Sequence, residues 1–222
     1  MSDAKAVKII TPVGPLSWVQ ISGKGKENYN KDGFNYVATL TLDKKTAEPL
    51  LAEIEEIAKG CPASLKVKSK GHRPVFVDKE GNQFVETENR EFDAEAGDKE
   101  TDLIAFSFAT RTTFDDGKPT VIGVYNAKGD KVVLGERLIG NGTIGSISGK
   151  GKVYVNGRNT GVSLYLKAVQ IVKYVAYDGD AGFAAVDDAD AFTGFDEAND
   201  DFQKSEADTT PATDTPKVKP KL

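Results

Sequence analysis

The tetrapeptide Gly-Lys-Gly-Lys occurs twice in this chain, at 23–26 and at 149–152. Glycine lets a backbone approach a phosphate closely, and lysine supplies the opposite charge. Each copy is followed by a tyrosine, Tyr29 or Tyr154, and then by a further cation, Lys31 or Arg158. Rings interleaved with cations in hairpin loops suit a single nucleic-acid strand. Its bases stack on flat side chains for about 1–3 kcal/mol each, while Lys and Arg track its phosphates. The expected contact set is therefore Lys24, Lys26, Tyr29 and Lys31 from the first copy, and Lys150, Lys152, Tyr154 and Arg158 from the second. Trp18, Tyr36 and Arg111 join them, on strands expected to face the same groove. Phe106 reads as core, and Phe108 fits either role.

Other chemistry does not assemble. Gly140-Asn141-Gly142-Thr143-Ile144-Gly145 matches G-x-G-x-x-G, but a dinucleotide site needs a helix after it, and β-rich sequence follows. Gly149-Lys150 lacks both the earlier glycine and the following Ser/Thr of a phosphate loop. Cys61 has no C-x-x-C partner and reads as a half-buried thiol, and its being the single cysteine excludes an intramolecular disulfide. His72, the single histidine, has no second histidine for a metal or a triad. Asp115-Asp116 sits in a turn, where Asp is expected anyway. Asp187-Asp188-x-Asp190 lies in a segment read as disordered. The expectation is no catalytic set, no metal and no cofactor.

The elements that must position the cations and rings are mostly strands. Runs at 16–22 and 34–43 are β-rich and flank the polar loop 23–33. Residues 46–60 form the one helix, with Thr46 as N-cap, Pro49 in the first turn and Gly60 as the stop. Leu50, Leu51, Ile54, Ile57 and Ala58 fall on one apolar face. A hairpin is expected over 73–86, turning at 79–82, and a long strand over 102–114. Strands at 119–127 and 131–138 flank a turn at 128–130. Two or three strands fill 142–175, around a turn at 156–159. Many short strands with one helix suggest a small barrel or sandwich. No apolar run reaches the roughly 20 residues of a membrane span, and the N-terminus lacks the pattern of a signal peptide.

The net charge of −5 conceals an asymmetry. Residues 1–177 carry 25 Lys and Arg against 22 Asp and Glu, a net of +3, whereas 178–222 carry 4 Lys against 12 Asp and Glu, a net of −8. Eight acids also cluster between Glu86 and Asp102. A basic body with an acidic loop and an acidic tail points to a polyanion-binding surface or an interaction tail. Residues 178–202 contain nine acids, no base, and Phe183, Phe192, Phe195 and Phe202. A Thr/Pro/Lys-rich stretch follows. Such composition buries too little to offset ordering entropy, so 178–222 is expected to be disordered. The alternative from the residues alone is a structural or protein-interaction β-domain that binds no nucleic acid.

In the order PLLAEIEEIAKGC, VYNAKGDKVV, LIGNGTIGSISGKGKVYV, NGRNTG, VSLYLKAVQIVKYV, then an Asp/Phe-rich tail, the chain resembles the single-stranded DNA-binding proteins of short-tailed, T-seven-type bacteriophages. The resemblance covers nearly the whole sequence. It implies a mainly β, OB-fold-like small barrel over 1–177 with one amphipathic helix, and a flexible acidic tail over 178–222. It implies a protein that is not an enzyme and that coats single-stranded DNA in the cytoplasm of an infected bacterium, serving replication, recombination and repair. Duplex DNA is a weaker partner, and homo-oligomerisation stays open. The tail, through Phe192, Phe195, Asp196, Glu197, Asp200, Asp201 and Phe202, recruits phage or host replication proteins. Two departures stand out. An arginine turn replaces a second stacking aromatic near Tyr154, and the tail ends KVKPKL rather than in acids and an aromatic.

Overall fold

The structure, a computed structural model, describes residues 6–28, 31–87, 89–114, 116–135 and 137–177. Twelve strands and one helix lie within them, in the order β1 (Val7–Ile10), β2 (Gly14–Gln20), β3 (Lys26–Glu27), β4 (Phe34–Asp43), α1 (Lys44–Ala58), β5 (Lys66–Ser69), β6 (His72–Val77), β7 (Gln83–Phe84), β8 (Lys99–Arg111), β9 (Gly123–Tyr125), β10 (Lys131–Val132), β11 (Ile144–Asn156) and β12 (Asn159–Lys173). The protein is mainly β with one helix, as its residue pattern predicts. The tail residues and Tyr29 fall outside the described residues.

Alternation explains the long strands. Along β4, Ala38, Leu40 and Leu42 are buried while Thr39 and Thr41 are half-exposed, the period-two pattern of a strand with one face on a core. On β8, Ile104, Phe106 and Phe108 point the same way, and both phenylalanines are fully buried. β11 and β12 pair over their whole length, from Ile144↔Lys173 to Asn156↔Asn159. Gly157 and Arg158 make the turn, with Gly157 at φ +58°. Glycine at the first turn position is what a tight hairpin with the native twist requires.

The strand order is β10-β9-β12-β11-β2-β4-β8-β6-β7, with β1 added to β11, β3 to β4 and β5 to β12. β2 is the corner. Its first residues, Gly14 and Pro15, pair with β11, and Leu16 to Gln20 pair with β4. The sheet folds over the core at this corner, and α1 packs Ala47, Leu50, Ile54 and Ile57 against it.

The expected barrel is left open along one seam. β6 leaves β8 at Phe106. β5 pairs β12 only up to Gly161, and β9 joins it only at Ala168. The facing edges of β8 (107–111) and β12 (162–167) therefore have no ladder partner among the described strands. They line a cleft of about 450 Å³. The β5–β6 link passes one end of it, where a Cβ on Gly71 would lie 2.9 Å from Leu164.

Two expectations about elements need correction. α1 starts at Lys44, not after Thr46, because Asp43 is the cap. Its Oδ1 accepts from Thr46 N at 2.9 Å and its Oδ2 from the Thr46 hydroxyl at 2.7 Å. Pro49 consequently stands inside the helix. The strands expected over 119–127 and 131–138 shrink to three and two residues. The acidic loop carries tertiary contacts of its own. Arg90 reaches buried Asp98 at 2.6 Å and lies 4.1 Å from the Phe84 ring centre, while Phe92 packs on Phe76. The excluded dinucleotide motif leads into β11, a strand.

Candidate nucleic-acid interface

The first Gly-Lys-Gly-Lys copy is a turn that leads into β3, where Lys26 pairs with β4. Gly23 and Gly25 have φ of +65° and +76°, which glycine adopts without steric cost. A Cβ on Gly25 would come within 2.7 Å of Thr112 and 2.9 Å of Asn35 O. The Tyr36 hydroxyl donates to Gly23 O at 3.2 Å. So held, the loop puts Lys24 Nζ 4.6 Å from the Phe34 ring centre and Lys26 Nζ 6.0 Å from that of Trp18. The Trp18 side stands clear of the core, at 71% exposure.

The second copy is not a loop. It lies in the middle of β11, and its glycines serve packing. A Cβ on Gly149 would sit 2.9 Å from the Phe108 ring, and one on Gly151 would sit 2.5 Å from Ile57 Cδ1. Strand alternation then turns Lys150 and Lys152 to the opposite face. Phe108 thereby resolves as core.

Residues directly opposite in an antiparallel pair share a face. Lys26 is opposite Asn35, and Asn35 is opposite Arg111. On the other side of the seam, Lys8 is opposite Lys150, and Lys150 is opposite Tyr165. Asn35, Arg111, Ser163 and Tyr165 all line the cleft. One row thus runs from Trp18 through Lys26, Asn35 and Arg111, across the seam, to Tyr165, Lys150 and Lys8. Beside it, Lys152 is opposite Ser163 and Tyr154 is opposite Gly161. A Cβ on Gly161 would meet the Tyr154 ring at 2.8 Å, so the ring covers that glycine.

Most of the sequence-expected residues fall in or beside this row. Arg158 is exposed at the hairpin turn, where its carbonyl accepts from Lys66 N at 3.1 Å. Lys31 is exposed, at φ +57°. Tyr36 differs. It alternates with Asn35, is half-buried against the core, and therefore does not share the face of Arg111. Lys8, Asn35, Ser163 and Tyr165 are additions that the loop motifs did not reveal. Tyr165 was readable from the turn, since pairing outward from 157–158 brings Lys150 opposite it. Lys8 was not, because its pairing with β11 is remote in sequence.

His72 is held below its usual value mainly by burial, helped by the Lys70 charge, and it packs 6.0 Å from the Phe106 ring. Among the described residues, no group of three or more His, Cys, Asp or Glu side chains is placed to hold a metal. No helix among them is long and apolar enough to cross a membrane.

Fold and face together define a class: a curled, open, mainly β domain whose outer surface carries a row of cations and aromatic rings across the seam. The same fold is found in the crystal structure of gp2.5, a single-stranded DNA-binding protein encoded by bacteriophage T7. The match has a TM-score of 0.53 at 16% identity and covers 82% of this chain and 100% of that one. A single-stranded DNA-binding protein from bacteriophage Enc34, in complex with ssDNA, aligns with a TM-score of 0.46 at 16% identity, over 78% of this chain and 89% of that one. No protein-family model matches the sequence, and no curated protein matches it.

Proposed function

We propose that this chain is a phage single-stranded DNA-binding protein, acting by binding rather than catalysis. It coats and protects single strands during replication and recombination without base-sequence preference. The carrying observation is the row from Trp18 and Lys26 through Arg111 to Tyr165, Lys150 and Lys8. It sets rings and cations together across seven strands and the seam, the combination that stacks bases while neutralising phosphates. The placement of Lys8 directly opposite Lys150 supports this reading. Like charges in such a pair cost stability, and a phosphate between them would relieve it. The shared fold with gp2.5, which its description names a single-stranded DNA-binding protein, agrees.

In this reading Lys8, Lys24, Lys26, Lys31, Arg111, Lys150, Lys152 and Arg158 take phosphates, and Trp18, Tyr154 and Tyr165 take bases. Tyr29, beyond the described residues, joins the rings that take bases by its place in the loop. Residues 1–177 are the binding domain. The tail 178–222 competes with DNA for the basic face. It also recruits phage or host replication proteins through Phe192, Phe195, Phe202 and their neighbouring acids. Duplex DNA binds less well, because its bases are not free to stack. The site of action is the cytoplasm of the infected bacterium.

Titration of the full chain with oligo-dT at two salt concentrations tests the reading. Each phosphate neutralised on a single strand contributes about −0.7 to the slope of log affinity against log salt. Eight engaged cations therefore predict a slope of about −5.6. Absent binding, or binding indifferent to salt, overturns the proposal.

A further inference from the structure

β2 presents Trp18 on a bulge built from a residue that resists it. β2 pairs with β4 at Ser17↔Thr39 and next at Gln20↔Val37. β2 thus advances three residues while β4 advances two, leaving one extra residue in β2. Trp18 takes the strained position, at φ +52°. Bulges with a left-handed residue ordinarily put glycine there, and a bulky side chain at positive φ is a genuine outlier. Strain of this kind persists only where the surroundings over-determine it.

What over-determines it is Asn141. The Trp18 backbone N–H donates to Asn141 Oδ1 at 2.9 Å. Asn141 is itself fixed from both sides. Gly140 N donates to Val175 O at 2.8 Å, Gly142 N to Leu16 O at 3.0 Å, and Leu16 N to Thr143 O at 2.7 Å. The fully buried Thr143 hydroxyl bonds Val175 O and accepts from Val175 N. Gly142 stands at φ +88°, and a Cβ on Gly140 would sit 2.4 Å from Ala176 O. The glycine-rich segment that fails as a nucleotide motif is thus a clasp between β2 and the end of β12, with Asn141 at its tip.

We propose that Asn141 is a positioning residue for nucleobase stacking. Its side-chain oxygen locks the Trp18 bulge, so the indole stands out as a preformed platform with Lys26 beside it for the adjoining phosphate. This rests on the single-stranded DNA reading of the face. A platform ordered before binding spares the cost of ordering it on binding. The strained backbone is then the means by which a large ring is held at 71% exposure, without burial to fix it.

Trp18 is the chain's single tryptophan, so its fluorescence reports this site alone. Full-length wild type, Asn141→Ala, Asn141→Asp, Trp18→Ala and the Trp18→Ala/Asn141→Ala pair are titrated with labelled oligo-dT. Asn141→Ala is expected to weaken binding about 3- to 10-fold, a fraction of one stacked base, and to diminish the fluorescence quench at saturation. Asn141→Asp keeps the acceptor oxygen and is expected to retain that quench, whatever its added charge does to affinity. In the Trp18→Ala background, Asn141→Ala is expected to change nothing further. Wild-type affinity and quench in Asn141→Ala overturn the inference alone, as does an equal loss in the Trp18→Ala background. Failure of wild type to bind oligo-dT overturns the reading of the face, and the inference with it.

Discussion

A methyl group added at Gly149 would sit 2.4 Å from Tyr165 O and 2.9 Å from the Phe108 ring. The first of these neighbours is backbone in the β11–β12 ladder, and the second is a fully buried ring. Neither can retreat cheaply. One residue on, the Lys150 side chain is exposed and lies opposite Lys8. The repeated Gly-Lys-Gly-Lys motif invites one explanation for both residues, yet the strand separates them into a packing face and the face proposed to bind DNA. Gly149→Ala is therefore expected to destabilise the fold by about 1–3 kcal/mol through overpacking. Lys150→Ala is expected to leave stability equal or raised by up to about 1 kcal/mol, as a like-charge pair is removed, while weakening oligo-dT binding. Urea unfolding of both variants beside DNA titration checks the division. A stable Gly149→Ala with weakened binding would return the glycine to the binding face.

The start of α1 shows how far local rules reach. Thr46 reads as a cap from sequence because hydroxyl residues favour that position, but Asp43 outranks it. The Asp43 carboxylate takes both the Thr46 N–H and its hydroxyl, and these bonds, the hydroxyl first, hold its carboxyl below the usual aspartate value. A carboxyl depressed in the folded state stabilises the fold fully above its unfolded value, about 3.9. That contribution is lost as pH falls through the lower folded value. Asp43→Asn, which still caps but does not ionise, is expected to keep most of the neutral-pH stability and to flatten the stability curve below about pH 4. Thermal melts from pH 2 to 7 check this, and an unchanged acid limb would refute it. The same contrast runs through the other elements. The apolar stripe of α1, the alternation of β4 and β8 and the 157–158 turn are local patterns, and all were readable. The shrinkage of 119–127 and 131–138 was not, nor was the addition of β1 to β11. Those depend on which strands arrive alongside, and periodicity within a segment does not carry that. Hence Tyr165 was within reach of the sequence, while Lys8 and the seam were not.

At the scale of the whole molecule, the −5 net charge is the sum of a +3 body and a −8 tail. A polyanion seeking the Lys26–Arg111–Lys150 row competes with any other polyanion in reach. The segment 178–222 is permanently at high local concentration because it is covalently attached. Its acids, spaced among Phe183, Phe192, Phe195 and Phe202, match the cations and exposed rings of the face in kind. Removing 178–222 is therefore expected to tighten oligo-dT binding, most at low salt. The gain should shrink towards 1 M salt, where the Debye length falls to about 3 Å. Truncation should also make the slope of log affinity against log salt steeper, since cations once neutralised by the tail then exchange small ions for DNA. The same truncation should abolish pull-down of replication proteins if the phenylalanines are their docking points. Unchanged affinity at low salt would refute competition for the face, and undiminished pull-down would refute recruitment. The two proposed roles are separable, because Phe192→Ala/Phe195→Ala/Phe202→Ala keeps all twelve tail acids. That variant is expected to lose the protein partner while retaining most of the salt-dependent competition with DNA.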